Sequence, residues 1–141
     1  MGQPYDLERF VAAQDSGGTY QRVVAELRNG RKASHWMWFV FPQISGLGRS
    51  AMAQKYAITS VAEARAYLGH PVLGPRLLEC AQILLSLRDT TAERILGDID
   101  AMKLRSSMTL FQRAEPSQPV FGQVLHQYFD GGPDPATERL L

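Results

Sequence analysis

The chain has one cysteine, Cys80. A single thiol excludes an internal disulfide framework, so stability must come from packing. Cys80 stands in the run Leu77-Leu78-Glu79-Cys80-Ala81-Gln82-Ile83, a setting that favours a buried, inert thiol over a nucleophile. Histidine is also scarce. His35, His70 and His126 are far apart, and none stands at ligand spacing from a second histidine or a carboxylate, so no metal site is expected. No charge of one sign dominates: the formal net charge of +1 supplies no global field toward nucleic acid or an anionic membrane. No apolar run approaches the ~18 residues of a membrane span. The stretch Met1 to Asp6 lacks the basic-then-apolar pattern of a leader, and Asp6 stands where a myristoylation motif wants Ser or Thr. The expected location is the cytoplasm. Walker, nucleophile-elbow and dinucleotide motifs are missing, and no cofactor is implied. Without repeats, low-complexity segments or a dividing linker, residues 1–141 are expected to form a single domain.

What remains is helical. Asp6 to Gln14 carries Leu7, Phe10 and Val11 at helical spacing before Ser16-Gly17-Gly18. Thr19 is a candidate cap for the next helix, which Asn29-Gly30 closes. Ser34 is a candidate cap for a short apolar helix ending at Pro42, with a period-two strand over Trp36 to Phe41 as the competing reading. Ser50 opens a helix through Tyr56, and Ser60 with Glu63 forms a capping box before Val61 to Leu68. Leu73 to Arg88 is the longest periodic stretch. Thr90 with Glu93 suggests another box, Gly97 a stop, and Asp98 or Asp100 the cap of a helix to about Arg113. Val120 to Phe129 follows, and Asp134-Pro135 opens a last short helix. The pattern predicts an all-α fold, a compact orthogonal domain of about seven to nine short helices.

Three constellations carry chemistry. The segment Lys32-Ala33-Ser34-His35-Trp36-Met37-Trp38-Phe39-Val40-Phe41-Pro42-Gln43 holds both tryptophans. Trp36 and Trp38 could form a stacking wall for a flat ring, with Lys32, Ser34, His35 and Gln43 as polar groups around it; helically spaced core residues are the plain alternative. Ser45-Gly46-Leu47-Gly48-Arg49-Ser50 lets the backbone approach a ligand at Gly46 and Gly48, with Arg49 adding charge and the following helix start offering amides to an anion. It is also an ordinary loop sequence. In the third, Asp100, Lys103 and Ser107 share one helix face at i, i+3 and i+7, with Asp98 near the helix start. Such a face could supply general acid–base chemistry, or be a solvated surface with an ion pair. Ser106, Ser107 and Thr109 are poor helix-interior residues, and their clustering beside Arg105 points to a tertiary use.

These motifs resemble the domain of unknown function 1810 family of bacterial proteins. The resemblance is carried by Lys32 to Ile44, Gly46-Leu47-Gly48, Tyr56-Ala57-Ile58, Tyr67 to Gly74, Asp100 to Phe111 and the closing Asp134-Pro135-Ala136-Thr137-Glu138-Arg139-Leu140-Leu141. It implies a single mainly helical domain and no assigned activity. Some members bear a calpastatin label, but such an inhibitor is a disordered repeat chain and nothing here resembles one. In layout alone the chain is similar to the small helical N-glycosidases that act on riboflavin intermediates and ADP-ribose, with no motif matched residue by residue.

Two functions follow as expectations. The first is a small-molecule pocket domain for a nucleotide or another phosphorylated small molecule, as an N-glycosidic hydrolase acting on a nucleotide or ADP-ribose-like ligand. Asp98, Asp100 and Lys103 would be its catalytic groups. Lys32, Ser34, His35, Trp36, Trp38, Gln43, Gly46, Gly48, Arg49, Arg105, Ser106 and Ser107 would bind the ligand. The alternative is a non-catalytic protein-interaction or ligand-sensing module. The first requires the aromatic segment and the Asp100 helix to meet in space.

Overall fold

Gly97, at φ 87°, ends one helix and admits the next, a backbone turn that a side chain would strain. Similar local punctuation divides the whole chain. The computed structural model describes residues 5–141, and the expectation about a leader falls partly on Met1 to Pro4, which lie outside them. The helices are α1 (Glu8–Asp15), α2 (Thr19–Arg28), α3 (Met37–Val40), α4 (Ala51–Lys55), α5 (Val61–Gly69), α6 (Leu73–Ser86), α7 (Ala92–Leu96), α8 (Asp98–Ala114), α9 (Val120–Phe129) and α10 (Pro135–Leu140). A 3-10 turn, Ser16–Gly18, joins α1 to α2. The described residues form no β-strand; Ile44 and Ile58 make one isolated parallel bridge. The fold is all-α. The aromatic segment supplies a single helical turn, α3, rather than the competing strand.

Several caps are those the sequence suggests. The Ser50 hydroxyl accepts from Ala53 N, Ser60 from Glu63 N, and the Asp134 carboxylate from Thr137 N. Four expectations are corrected. Thr19 is the first residue of α2 and its hydroxyl donates to Ser16 O at 2.6 Å instead of capping. Thr91, one residue beyond Thr90, caps α7 by accepting from Arg94 N. Neither Asp98 nor Asp100 caps α8; both lie inside its first turn, after Gly97. Ser34 does not cap α3, because its hydroxyl donates to Glu26 Oε2 at 2.6 Å. His70 also does more than end α5: its Nδ1 accepts from Val72 N at 3.1 Å and Leu73 N at 3.3 Å, satisfying amides at the start of α6.

The core gathers around α8, which packs against α5, α7, α9 and α10, while α6 packs against α2, α5 and α9. Phe111 at its centre is fully buried between Tyr67 and Phe121, with ring centroids 5.4 and 5.7 Å away. Each such ring contributes about 1.5–3 kcal/mol by leaving water. Cys80 is buried here too, and burial pushes its thiol up to about 12, so it is protonated and unreactive at neutral pH. The consequence for the site is that the start of α8 is fixed against the end of α7, beside the loop that leads into α3.

Candidate functional site

The loop before α3 is held by one carboxylate. Glu26 on α2 accepts from Ala33 N at 2.7 Å, Ser34 N at 3.0 Å and Trp36 Nε1 at 2.9 Å through Oε1, and from the Ser34 hydroxyl through Oε2. Burial alone would raise its pKa, but these four bonds to the charged form outweigh burial and hold it down at about 2. The backbone of Lys32 is tied separately, its N–H donating to Ile95 O at 2.7 Å at the end of α7. From behind, Gln14 Nε2 donates to Phe39 O at 2.8 Å and anchors α3 to α1.

This anchoring brings Lys32 to the first turn of α8. Lys32 Nζ lies 2.9 Å from Asp100 Oδ2, with the two side chains only 10% and 18% exposed. Lys103 Nζ lies 3.7 Å from the other oxygen of the same carboxylate. Each ammonium also stands over an indole: Lys32 is 5.2 Å from the Trp36 ring centre and Lys103 is 4.8 Å from that of Trp38. Two lysines, one aspartate and two tryptophans therefore form a continuous cluster joining the aromatic segment to α8. Beside it opens a cleft of about 490 Å³ lined by Lys32, His35, Met37, Trp38, Leu96, Gly97, Asp98, Ile99 and Asp100, a volume suited to a small molecule.

The candidate residues divide sharply. Lys32, His35, Trp38, Asp98 and Asp100 meet in this cleft. Asp98 and His35 are exposed there and make no ion pair or side-chain hydrogen bond among the described residues. Trp36 does not form a stacking wall: its ring is 1% exposed, tilted against Phe41, with its N–H spent on Glu26. Ser34 is likewise spent on Glu26. Lys103 stands beside Trp38 and Asp100 but does not line the cleft.

Gln43, Gly46 and Gly48 line a different pocket of about 390 Å³, which shares no lining residue with the first. The glycines there answer to packing. A Cβ at Gly48 would come 2.5 Å from Ala53 Cβ, and Gly46 has φ 104° with a Leu140 methyl 3.3 Å from where its Cβ would be. The anion reading of this turn is weakened further because α4 has five residues and Ser50 itself occupies its cap. Arg49 is exposed and lines neither pocket.

The remaining candidates on α8 face elsewhere. Arg105 donates to Gly132 O at 2.9 Å and Pro133 O at 3.0 Å. Ser106 donates to Asp134 Oδ2 at 3.0 Å, and Thr109 accepts from Asp134 N at 2.9 Å. These groups lock α10 onto α8, so Arg105 and Ser106 are structural rather than ligand-binding. Ser107 is fully buried and its hydroxyl has no partner among the described residues.

A family model described as "Protein of unknown function (DUF1810)" matches residues 4–141. The chain belongs to that family. The crystal structure of the conserved hypothetical protein Rv1873 from Mycobacterium tuberculosis is 50% identical in sequence, is matched over 99% of this chain and 98% of that one, and superposes with a TM-score of 0.95. No curated protein matches the chain.

Within this DUF1810 chain, sequence reasoning missed Glu26, Gln14 and the apolar lining residues Met37, Leu96 and Ile99. Glu26 follows Val23 and Val24 on an amphipathic helix and reads as a solvated position. Its four donors come from seven to ten residues downstream, across a turn whose path no local signal reveals. Gly97 was legible as a helix stop, but its place in the cleft was not.

Proposed function

We propose that this chain is a small-molecule pocket domain that takes a nucleotide or ADP-ribose-like ligand in the cleft between the aromatic segment and α8, and that the chemistry it supports is hydrolysis of an N-glycosidic bond. The observation that carries this reading is the meeting of Lys32 with Asp100 at 2.9 Å beside a cleft walled by Trp38. Trp38 would stack on the ligand's flat ring. Lys32 and His35 would face its phosphate. In the reaction the C–N bond breaks with its electron pair leaving on the base, water adds its oxygen to the anomeric carbon, and its proton goes to the solvent or base. Asp100 is clamped between two ammoniums, so Asp98 is the carboxylate available to orient that water and to stabilise positive charge on the sugar.

Thermal-shift screening against nucleotides and ADP-ribose tests the ligand class. A ligand at 100 times its Kd adds about 2.7 kcal/mol, which in a domain of this size raises Tm by roughly 5–10 °C. Chromatography of the free base then tests the reaction, which Asp98→Asn should abolish. A flat response across the panel contradicts the reading. It would favour the non-catalytic module, for which the exposed Ile99 and Met102 side chains, 73% and 72% accessible at the rim and flank of α8, would be a partner surface.

A further inference from the structure

The charge arrangement behind Trp38 points to which rings the cleft accepts. Lys103 holds its ammonium 4.8 Å from the Trp38 ring centre, yet Trp38 lines the cleft and Lys103 does not. We propose that Lys103 backs the indole on the side away from the cleft and is a specificity-determining residue, making Trp38 a platform for neutral flat rings and a poor one for cationic rings such as pyridiniums. This rests on the reading of Trp38 as the cleft's stacking wall.

The reason is electrostatic. An indole attracts a cation through the negative potential of its π face. With one ammonium already on the ring, a second cation on the other face shares the same π density. It also stands roughly 8–10 Å from the first, about one Debye length in physiological salt. Neutralisation of Lys103 is incomplete, because Asp100 is shared: its closer contact, 2.9 Å, is with Lys32, and Lys103 is at 3.7 Å. Lys32 lines the cleft, but its 2.9 Å pair with Asp100 largely cancels its charge, so the unbalanced ammonium of the three groups is that of Lys103. Asp98, the other carboxylate lining the cleft, is exposed, where water and salt screen it. A neutral ring stacks on the same face without this repulsion.

The test needs no tight ligand. Nicotinamide and 1-methylnicotinamide are matched flat rings, one neutral and one cationic, and both quench indole fluorescence on contact. Trp36 is buried, so Trp38 is the tryptophan they reach, and Trp38→Phe supplies the background. Normalised to each ring's quenching of free N-acetyltryptophanamide, wild-type protein should be quenched more by nicotinamide than by its methylated cation. Lys103→Met should raise quenching by the cation by about two- to ten-fold relative to the neutral ring, the range expected for losing one partly screened charge, and Lys103→Arg should keep the wild-type ratio. An unchanged ratio in Lys103→Met, or a relaxed one in Lys103→Arg, overturns the inference. No Trp38 quenching by either ring overturns both it and the stacking wall. A flat nucleotide panel with the predicted ratio intact removes only the proposed ligand.

Discussion

Glu26 concentrates four donors on one carboxylate: three come from the loop that carries Lys32 and His35 toward the cleft and the fourth is the Trp36 indole beneath it. Its substitution by glutamine keeps the shape but removes the charge and turns one oxygen into a donor facing other donors. Hydrogen bonds to a charged group are worth about 1.5–3 kcal/mol, and the half-buried setting reduces this, so Glu26→Gln should lower unfolding free energy by about 1–2 kcal/mol in denaturant titrations. The pH dependence has a definite sign. Folded Glu26 titrates at about 2 against 4.5 for an ordinary glutamate. Its contribution is therefore complete above pH 4.5 and is lost as pH falls toward 2. The difference between wild type and Glu26→Gln should shrink across that window, and a difference that stays constant would show that the carboxylate's charge is irrelevant to it.

At the scale of elements, Asp134 is the joint between α8 and α10. It caps α10 through Thr137 N at 3.1 Å, accepts from the Ser106 hydroxyl at 3.0 Å, and offers its own N–H to Thr109. Asp134→Ala should cost about 1–3 kcal/mol, a lost cap plus the buried Thr137 hydroxyl, which donates to Asp134 Oδ2 at 2.6 Å, left without its acceptor. The midpoint of urea unfolding should fall with the slope unchanged, and a wild-type midpoint would contradict the joint. The Asp134-Pro135 start of α10 was legible because a cap is local chemistry. So were the stops at Asn29-Gly30 and Gly97. Thr91 displaced Thr90 because both are good caps and only the path of the chain chooses between them. Ser34 departs from the cap expected of it for a longer-range reason: a carboxylate on another helix holds its hydroxyl as a donor, away from the amides of α3. Clustered hydroxyls on α8 correctly signalled a tertiary use, but for Ser106 and Thr109 the partner is α10 and not a ligand.

At the scale of the molecule, α7 and α8 bring the first turn of α8 against a loop far away in sequence, and Lys32 closes the join on both its backbone and its ammonium. The two halves of the cleft were each visible as unusual residue clusters. Their meeting depends on how α2, α7 and α8 pack, which no periodicity encodes, and so does the separation of Gly46 and Gly48 into a pocket of their own. The proposed function rests on Trp38 as the wall against which a nucleotide-like ring stacks. Titration of ADP-ribose into wild type and Trp38→Ala, followed by tryptophan fluorescence and Tm together, tests it most directly. The expected result is saturable quenching and a raised Tm in wild type, with binding at least tenfold weaker in Trp38→Ala and a correspondingly smaller rise in Tm, consistent with ~1–3 kcal/mol for a stacked base. Equal stabilisation of the two proteins, or none of either, would contradict it.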